Sequence, residues 1–260
     1  MGDVVTSAAR GSVLTVTINR ADRRNTINEA VAAGIHGALD AAEADPVIRA
    51  VVLTGAGDKA FCAGGDMRKD AEGPPFELQA SDPRHYIVRL FNRMNTCRLP
   101  LIARVNGHAL GGGLGLVCGC DLAVARDDAL LGTSEVKVGL FPMMILPLLL
   151  RMLPTRQFME MCLTGEPFTG AEAAAVGIVN YAVPADELDD KVDWLVGRVA
   201  DKSPTGIRLG KQALATIREM GFAQSLEYAQ FMLATMATTE DAREGFAAFA
   251  DRRKPNWTGA

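Results

Sequence analysis

Two glycine-rich segments are the first candidates for chemistry in this sequence. The segment 60-AFCAGGDM-67 follows a short apolar run, and 107-GHALGGGLG-115 follows another. Glycine lets a ligand approach the backbone closely, and two amides that converge on one oxygen stabilise a developing enolate by about 3 kcal/mol each. The pattern indicates an oxyanion hole. Tight packing of a helix on a strand explains the same spacing equally well.

The glycine spacing excludes two common phosphate-binding loops. The G-x-G-x-x-G fingerprint fails because the sixth residue counted from Gly111 or Gly113 is Leu116 or Cys118. A P-loop fails because residues 165–170 are not followed by Lys and Ser or Thr. We therefore expect no nucleotide to be held through either loop.

Glu135 is the candidate acid or base. It lies in 131-LGTSEVKVGL-140, about twenty residues after the second glycine segment. A lone glutamate is usually a solvated surface charge, but Leu130, Leu131, Val136 and Val138 predict an apolar setting. Such a setting raises the pKa of a carboxyl group towards working pH, which suits acid–base catalysis.

Hydrophobic spacing predicts the elements that position these residues. Strands are predicted over residues 12–18, 49–54, 101–105 and 121–125, and a polar surface loop over 68–82. Helices are predicted over 28–45, 83–98, 142–152, 155–163, 170–176, 185–201, 204–219, 222–237 and 239–252. Mixed strands and helices followed by helices alone indicate an α/β fold, with a core over residues 1–200 and a helical region over 201–260.

Composition narrows the classes of protein. The chain has 260 residues, is 22% charged and carries a net charge of −4, so we expect no nucleic-acid partner. The N-terminus lacks an apolar signal segment, and two prolines interrupt the longest apolar run, 138–150. We therefore expect a cytoplasmic protein without a membrane partner. The five cysteines have no metal-binding spacing, which predicts buried, reduced thiols and no metal.

Five segments spread along nearly the whole chain carry a family resemblance. They are 18-INRADRRNTIN-28, 51-VVLTGAGDKAFCAGGDM-67, 99-LPLIARVNGHALGGGLGL-116, 164-TGEPFTGAEAAAVGIVN-180 and 246-FAAFADRRKPNWTG-259. The chain resembles members of the crotonase (enoyl-CoA hydratase/isomerase) superfamily. The resemblance implies a crotonase-like ββα spiral core with a C-terminal helical trimerisation region, and a homotrimer or a dimer of trimers. It also implies an acyl-CoA substrate, with coenzyme A arriving as part of the thioester and no other cofactor.

The resemblance also assigns site residues. It implies an oxyanion hole formed by the backbone N–H groups of Gly65 and Gly112, with Glu135 as the acid/base. The remaining substrate contacts that it implies are Arg24, Thr26, Ala63, Gly64, Asp66, Met67, Gly111, Ser134 and Pro142. Arg24 equally fits a solvated turn charge, and Asp66 fits a helix cap. Residues 141–150 fit either an acyl pocket or simple core packing.

The sequence departs from the family pattern at one catalytic position. Hydratases of the family pair two glutamates around one water, and the two corresponding positions here are Gly115 and Glu135. One carboxylate suits an isomerase that moves a single proton. It also suits a hydratase or dehydratase whose substrate supplies the second function, such as a methylglutaconyl-type chain. A non-catalytic acyl-CoA-binding protein is a further interpretation. Met143 and Met144 disfavour the branches that place an aspartate there.

Overall fold

The computed structural model describes residues 3–67 and 84–260. In that part of the chain, the strands form two sheets. The strands are β1 (Val5–Arg10), β2 (Val13–Ile18), β3 (Ala50–Gly55), β4 (Ala60–Cys62), β5 (Leu101–Val105), β6 (His108–Leu110), β7 (Leu122–Arg126), β8 (Leu130–Gly132), β9 (Phe168–Thr169) and β10 (Tyr181–Val183). The helices are α1 (Glu29–Ala44), α2 (Tyr86–Thr96), α3 (Gly112–Gly119), α4 (Leu146–Met152), α5 (Thr155–Thr164), α6 (Gly170–Ala175), α7 (Leu188–Ala200), α8 (Pro204–Ile217), α9 (Phe222–Ala237) and α10 (Glu240–Ala250).

From β3 to β8, consecutive strands alternate between the two sheets. The larger sheet has the order β1-β2-β3-β5-β7-β10 and the smaller one β4-β6-β8-β9. The pairs β3/β4, β5/β6 and β7/β8 therefore each place one strand in either sheet. All pairings are parallel except β1 with β2 and β8 with β9. This is the arrangement of repeated ββα turns that the resemblance implies.

The central strands of the larger sheet are buried on both faces, as β3 shows. In β3, Val51 and Leu53 join the main apolar cluster, which also contains the inward faces of α1 and α2. Ala50 and Val52 point the other way and pack in a second cluster with the buried face of α7. Successive side chains of a strand point to opposite faces, so a central parallel strand needs apolar residues throughout.

The predicted helices are confirmed to within a few residues, whereas several strands were missed. Strand β1 shows no apolar signal because five of its six residues are exposed. Strands β4, β6 and β8 have three residues each, too few to show a period of two. Helix α2 begins at Tyr86, and the predicted loop over 68–82 lies outside the described residues.

The C-terminal helices leave much apolar surface exposed. Helix α9 has no fully buried residue. The large exposed apolar side chains of α9 and α10 are Phe222, Leu226, Phe231, Leu233, Phe246 and Phe249. Exposed apolar side chains of this size and number are typical of interaction surfaces.

Asp241 ties this helical region to the end of the chain. It is buried at the start of α10, and its Oδ2 accepts from Ser203 Oγ at 2.8 Å and from Thr205 N at 3.3 Å. Its Oδ1 accepts from the amides of Thr258 at 2.9 Å and Gly259 at 3.1 Å. Burial by itself raises the pKa of this carboxyl group, but the hydrogen bonds outweigh burial and the pKa is lowered.

The five cysteines are free and buried, as predicted. Burial raises the pKa of Cys62 and of Cys118 to about 12, which keeps both thiols protonated and unreactive. Among residues 3–67 and 84–260, no group of three or more His, Cys, Asp or Glu side chains is placed to hold a metal ion. No helix in the same ranges is long and apolar enough to cross a membrane.

Candidate active site

The candidate site lies at one edge of the smaller sheet. Gly64 and Gly65 follow β4, Gly111 and Gly112 follow β6, and Glu135 follows β8. Because these three strands are parallel neighbours, their carboxyl ends meet at the same edge. The topology thus brings together residues that are up to 71 positions apart in the sequence.

The backbone amides of Gly65 and Gly112 are close neighbours. A Cβ built on Gly112 would lie 3.7 Å from the nitrogen of Gly65, and one built on Gly64 would lie 3.6 Å from the nitrogen of Gly112. Neither amide donates a hydrogen bond to any group within residues 3–67 and 84–260. Gly112 is the first residue of α3, where the helix dipole adds partial positive charge. These properties suit a pair of oxyanion donors.

The glycines at this edge are required by the close approach of α3 to β4. Gly64 has a φ of +98°, and a Cβ there would lie 3.0 Å from the carbonyl oxygen of Leu110. A Cβ on Gly113 would collide with the carbonyl group of Cys62, with only 2.8 Å to its carbon. The packing interpretation and the oxyanion interpretation are therefore compatible, because the close packing is what sets the spacing of the two amides.

Glu135 faces the second glycine segment. It begins a short 3-10 helix, Glu135–Val138, and its Oε1 lies 3.0 Å from where a Cβ of Gly111 would stand. Its Oε2 is buried and has no hydrogen-bond partner among the described residues. Burial raises the pKa of this carboxyl group, and hydrogen bonds from its own amide and that of Ser134 oppose the rise. The predicted direction is confirmed, but Val138 is 70% exposed and is not part of the apolar setting.

Gly115 occupies the position at which the family resemblance implies a second carboxylate in hydratases. The structure leaves no room for a side chain there. A Cβ there would collide with Cγ2 of Ile145 and would lie 2.7 Å from Cζ of Phe91. Both neighbours are buried. Glu135 is the carboxyl group that the structure places against Gly111, the first residue of the triple glycine.

Arg20 holds the first glycine segment and was missed by the sequence analysis. Its Nη2 lies 2.7 Å from Oδ2 of Asp66, and both side chains are largely buried. Its Nη1 donates to the carbonyl oxygen of Thr26 at 2.6 Å. The carbonyl oxygen of Thr26 and the carboxylate of Asp66 thus both bind the guanidinium group of Arg20. The sequence analysis noted the segment around Arg20, but it did not predict this contact, because the partner Asp66 lies 46 positions away.

Arg24 lines a cavity of about 220 Å³ with Lys59, His108, Arg126 and Asp128. Lys59, His108 and Asp128 lie at or just before the amino ends of β4, β6 and β8. The contact of Arg24 with a substrate stays a prediction. His108 accepts a hydrogen bond at Nδ1 from the Leu130 amide at 3.0 Å, which favours a structural role for this histidine.

The other predicted contacts surround the two glycine segments. The amide of Ala63 donates to the carbonyl oxygen of Arg24 at 3.0 Å, Met67 is half exposed and Ser134 is exposed. Pro142 is buried, and its carbonyl oxygen accepts from the amide of Leu146 at 2.9 Å. Their contacts with a substrate stay predictions.

The run 141–150 is divided between the core and the surface, and its role as an acyl pocket stays a prediction. Phe141 and Met144 pack on the main apolar cluster, and Ile145 and Leu149 belong to it. Met143 and Leu150 are more than half exposed. Core packing accounts for the buried members of this run.

The two mostly parallel sheets, with the glycine amides beside a partly buried glutamate, are those of a crotonase-type protein. The chain belongs to the enoyl-CoA hydratase/isomerase family, whose sequence model matches residues 8–260.

Individual relatives match along nearly their whole length. The (E)-benzylidenesuccinyl-CoA hydratase of Thauera aromatica is 35% identical over 260 residues, covering 98% of this chain and 99% of the relative. The 2,3-dehydroadipyl-CoA hydratase of Escherichia coli K12 is 33% identical over 248 residues, covering 95% of each chain. The crystal structure of an enoyl-CoA hydratase from Mycobacterium smegmatis superposes with a TM-score of 0.91 at 31% identity, covering 98% of each chain.

Proposed function

We propose that this protein transforms enoyl-CoA thioesters through an enolate, with Glu135 as the single acid/base. The observation that carries the proposal is the position of the Glu135 carboxyl group. It lies against Gly111, the residue before the Gly112 amide, with Oε2 buried and without a partner. The N–H groups of Gly65 and Gly112 receive the thioester oxygen, and each donor contributes about 3 kcal/mol to the transition state.

One carboxyl group is sufficient for a proton shift. Glu135 takes the proton from C2 of a 3-enoyl thioester, and the electron pair of the broken C–H bond moves into the dienolate. The negative charge rests on the thioester oxygen between the two amides. Glu135 then returns the proton to C4, the double bond shifts to C2–C3, and no atom is gained or lost. A raised pKa suits a group that must both take and release this proton.

The same site supports reversible hydration when the substrate supplies the second polar group. Water then adds its oxygen to C3, and C2 gains a proton. This version is favoured by the names of two relatives, which are hydratases of benzylidenesuccinyl-CoA and 2,3-dehydroadipyl-CoA. A branched, methylglutaconyl-type thioester is a further substrate of this kind. Non-catalytic binding of acyl-CoA is the alternative that the experiment must exclude.

The decisive experiment compares the unmodified protein with Glu135→Gln on a panel of thioesters. The panel contains crotonyl-, 3-hexenoyl-, 3-methylglutaconyl- and 2,3-dehydroadipyl-CoA, and products are identified by mass spectrometry and double-bond position. We expect Glu135→Gln to lower turnover by about 10²- to 10⁴-fold and to keep affinity for the thioester. Glu160→Gln, an exposed change in α5, serves as the matched control.

Two results would contradict the proposal. An unchanged rate for Glu135→Gln would remove Glu135 from the mechanism. Tight binding of the whole panel by the unmodified protein, without any product, would instead establish the non-catalytic alternative.

We also propose that α8, α9 and α10 assemble the chain into a homotrimer or a dimer of trimers. The support is the exposed apolar surface of α9 and α10, which includes Phe246 at 71% and Phe249 at 87% exposure. Burial of aromatic side chains of this size stabilises an association by the hydrophobic effect. Light scattering coupled to gel filtration measures the mass directly.

A further inference from the structure

We propose that Phe91 and Ile145 act as specificity-determining residues, because they occupy the space that a side chain at position 115 would need. The inference rests on the proposed function and extends it. The pair deprives the site of a second carboxylate, so the protein has no group of its own to hold a water for addition to an unsubstituted enoyl chain. The favoured substrates are thioesters that need only a proton shift or that bring a polar group of their own.

The two residues come from different elements and meet over α3. Phe91 lies in α2, and Ile145 directly precedes α4. The exposed fraction is 8% for Phe91 and 1% for Ile145, and both belong to the main apolar cluster. A Cβ on Gly115 would collide with Cγ2 of Ile145 and approach Cζ of Phe91 to 2.7 Å. Because two separate elements close the space, a shift of one side chain alone does not open it.

The occupied space lies on the face of α3 that Gly115 shares with Gly112. Gly115 is one helical turn beyond Gly111, and its amide donates to the Gly111 carbonyl oxygen at 3.1 Å. Gly112 and Gly115 are three apart within α3, and residues three apart are neighbours on the surface of a helix. A Cβ on Gly112 would lie 3.7 Å from the nitrogen of Gly65, whereas a Cβ on Gly115 would meet hydrocarbon. A side chain at 115 would therefore lie beside the pair of glycine amides, and Phe91 and Ile145 fill that place with apolar surface.

This placement limits what the site does with water. Hydration forms a C–O bond at C3 and a C–H bond at C2, while the water gives up one proton. Because Glu135 is the single carboxyl group in the proposed mechanism, it must both accept the proton that the water gives up and donate the proton that C2 gains. No second carboxylate orients the water. Moving a proton within the substrate requires only Glu135. We therefore expect the unmodified protein to isomerise 3-hexenoyl-CoA at least about tenfold faster than it hydrates crotonyl-CoA.

The steric part of the inference is tested without any activity measurement. Gly115→Ala should lower Tm by roughly 3–10 °C, because it overpacks the core. Gly37→Ala in α1 is the matched control, because nothing lies within 4 Å of its added Cβ, and its Tm should stay equal or rise. Adding Gly115→Ala to a Phe91→Leu/Ile145→Ala background should cost little further Tm. An equal loss in both backgrounds would show that the pair does not close this space.

The functional part is tested with a restored carboxylate. Gly115→Glu and the triple variant Gly115→Glu/Phe91→Leu/Ile145→Ala are incubated with crotonyl-CoA in water enriched in ¹⁸O, and ¹⁸O in the product is measured. We expect the triple variant to incorporate ¹⁸O at least about tenfold faster than the Phe91→Leu/Ile145→Ala protein. We expect no gain from Gly115→Glu alone.

Two outcomes would overturn this part of the inference. The first is a gain in hydration by Gly115→Glu alone with an unchanged Tm. The second is a folded triple variant without any gain. If the proposed function itself is wrong, Glu135→Gln retains activity while the Tm comparison at position 115 is unaffected, so the two failures are distinguishable.

Discussion

Gly113→Ala is the most direct test of how packing sets up the candidate oxyanion hole. The added Cβ would collide with the carbonyl oxygen of Cys62 and lie 2.8 Å from its carbon. Real Cβ atoms essentially never approach another heavy atom within 3.0 Å. Both obstructing atoms belong to the backbone of β4, so no side-chain rotation relieves the contact. Helix α3 must therefore move away from β4 and carry the Gly112 amide away from Gly65.

The expected losses of stability and of rate follow from two free-energy costs. Overpacking of this kind costs about 1–3 kcal/mol of stability, whereas Gly→Ala at an unobstructed helical position stabilises by about 0.5–1 kcal/mol. Displacing one of two oxyanion donors costs up to about 3 kcal/mol in the transition state, or about 10²-fold in rate. We therefore expect a folded variant with a lowered Tm, and with kcat/KM reduced by about 10- to 10²-fold.

The assay combines thermal unfolding with steady-state kinetics on whichever thioester of the panel is turned over. Gly37→Ala again supplies the control, since it makes the same chemical change in a helix where nothing lies within 4 Å. If Gly113→Ala retained both the Tm and the kcat/KM of the parent, close packing of α3 on β4 would not set the amide spacing, and the reasoning would fail.

Three further predictions concern titration, the C-terminal region and assembly. Burial raises the pKa of Glu135 above its ordinary value of 4.5, so kcat/KM should fall on the acid side with a midpoint above 4.5, and a shift to a lower midpoint would contradict this. Asp241→Asn places an amide donor among the N–H and O–H donors at that site and should cost about 1–3 kcal/mol in urea unfolding at pH 7. The pKa of Asp241 is lowered in the folded protein, so the stability that its carboxylate adds is fully present above the ordinary value of 3.8 and is lost as pH falls through the folded pKa. The difference in unfolding free energy between the parent and Asp241→Asn should therefore shrink below pH 3.8. Phe249→Asp should reduce the mass measured by light scattering, and an unchanged mass would place the interface elsewhere.

The helical part of the fold was largely predictable from the sequence. Apolar residues in α1 recur at Val31, Ile35, Leu39 and Ala42, and all four are buried. The short strands were not predictable, because three residues such as His108–Leu110 carry no detectable period. Their pairing supplies most of the smaller sheet, which is the element that positions the candidate site.

The candidate site was predictable only in part. The glycine segments and Glu135 stand out through local sequence and family resemblance. Arg20 was not anticipated, because its role depends on a contact across the fold. It bridges to Asp66, which lies 46 positions away. Arg24 lines the cavity that also contains His108, while its carbonyl oxygen accepts from the Ala63 amide beside the first glycine segment, and its contact with a substrate stays a prediction.

The sequence by itself determined which residue types are available for the candidate site. These are the two glycine segments, Glu135 about twenty residues after the second of them, and a glycine at position 115. Local spacing specifies helices and glycine turns, because these depend on neighbours within a few residues. Only the tertiary structure decided that the Gly65 and Gly112 amides adjoin, that burial raises the pKa of Glu135, and that Phe91 and Ile145 fill the space beside Gly115. Each of these depends on parallel strands and packed helices that bring distant residues within a few ångströms, and no local pattern encodes such distances.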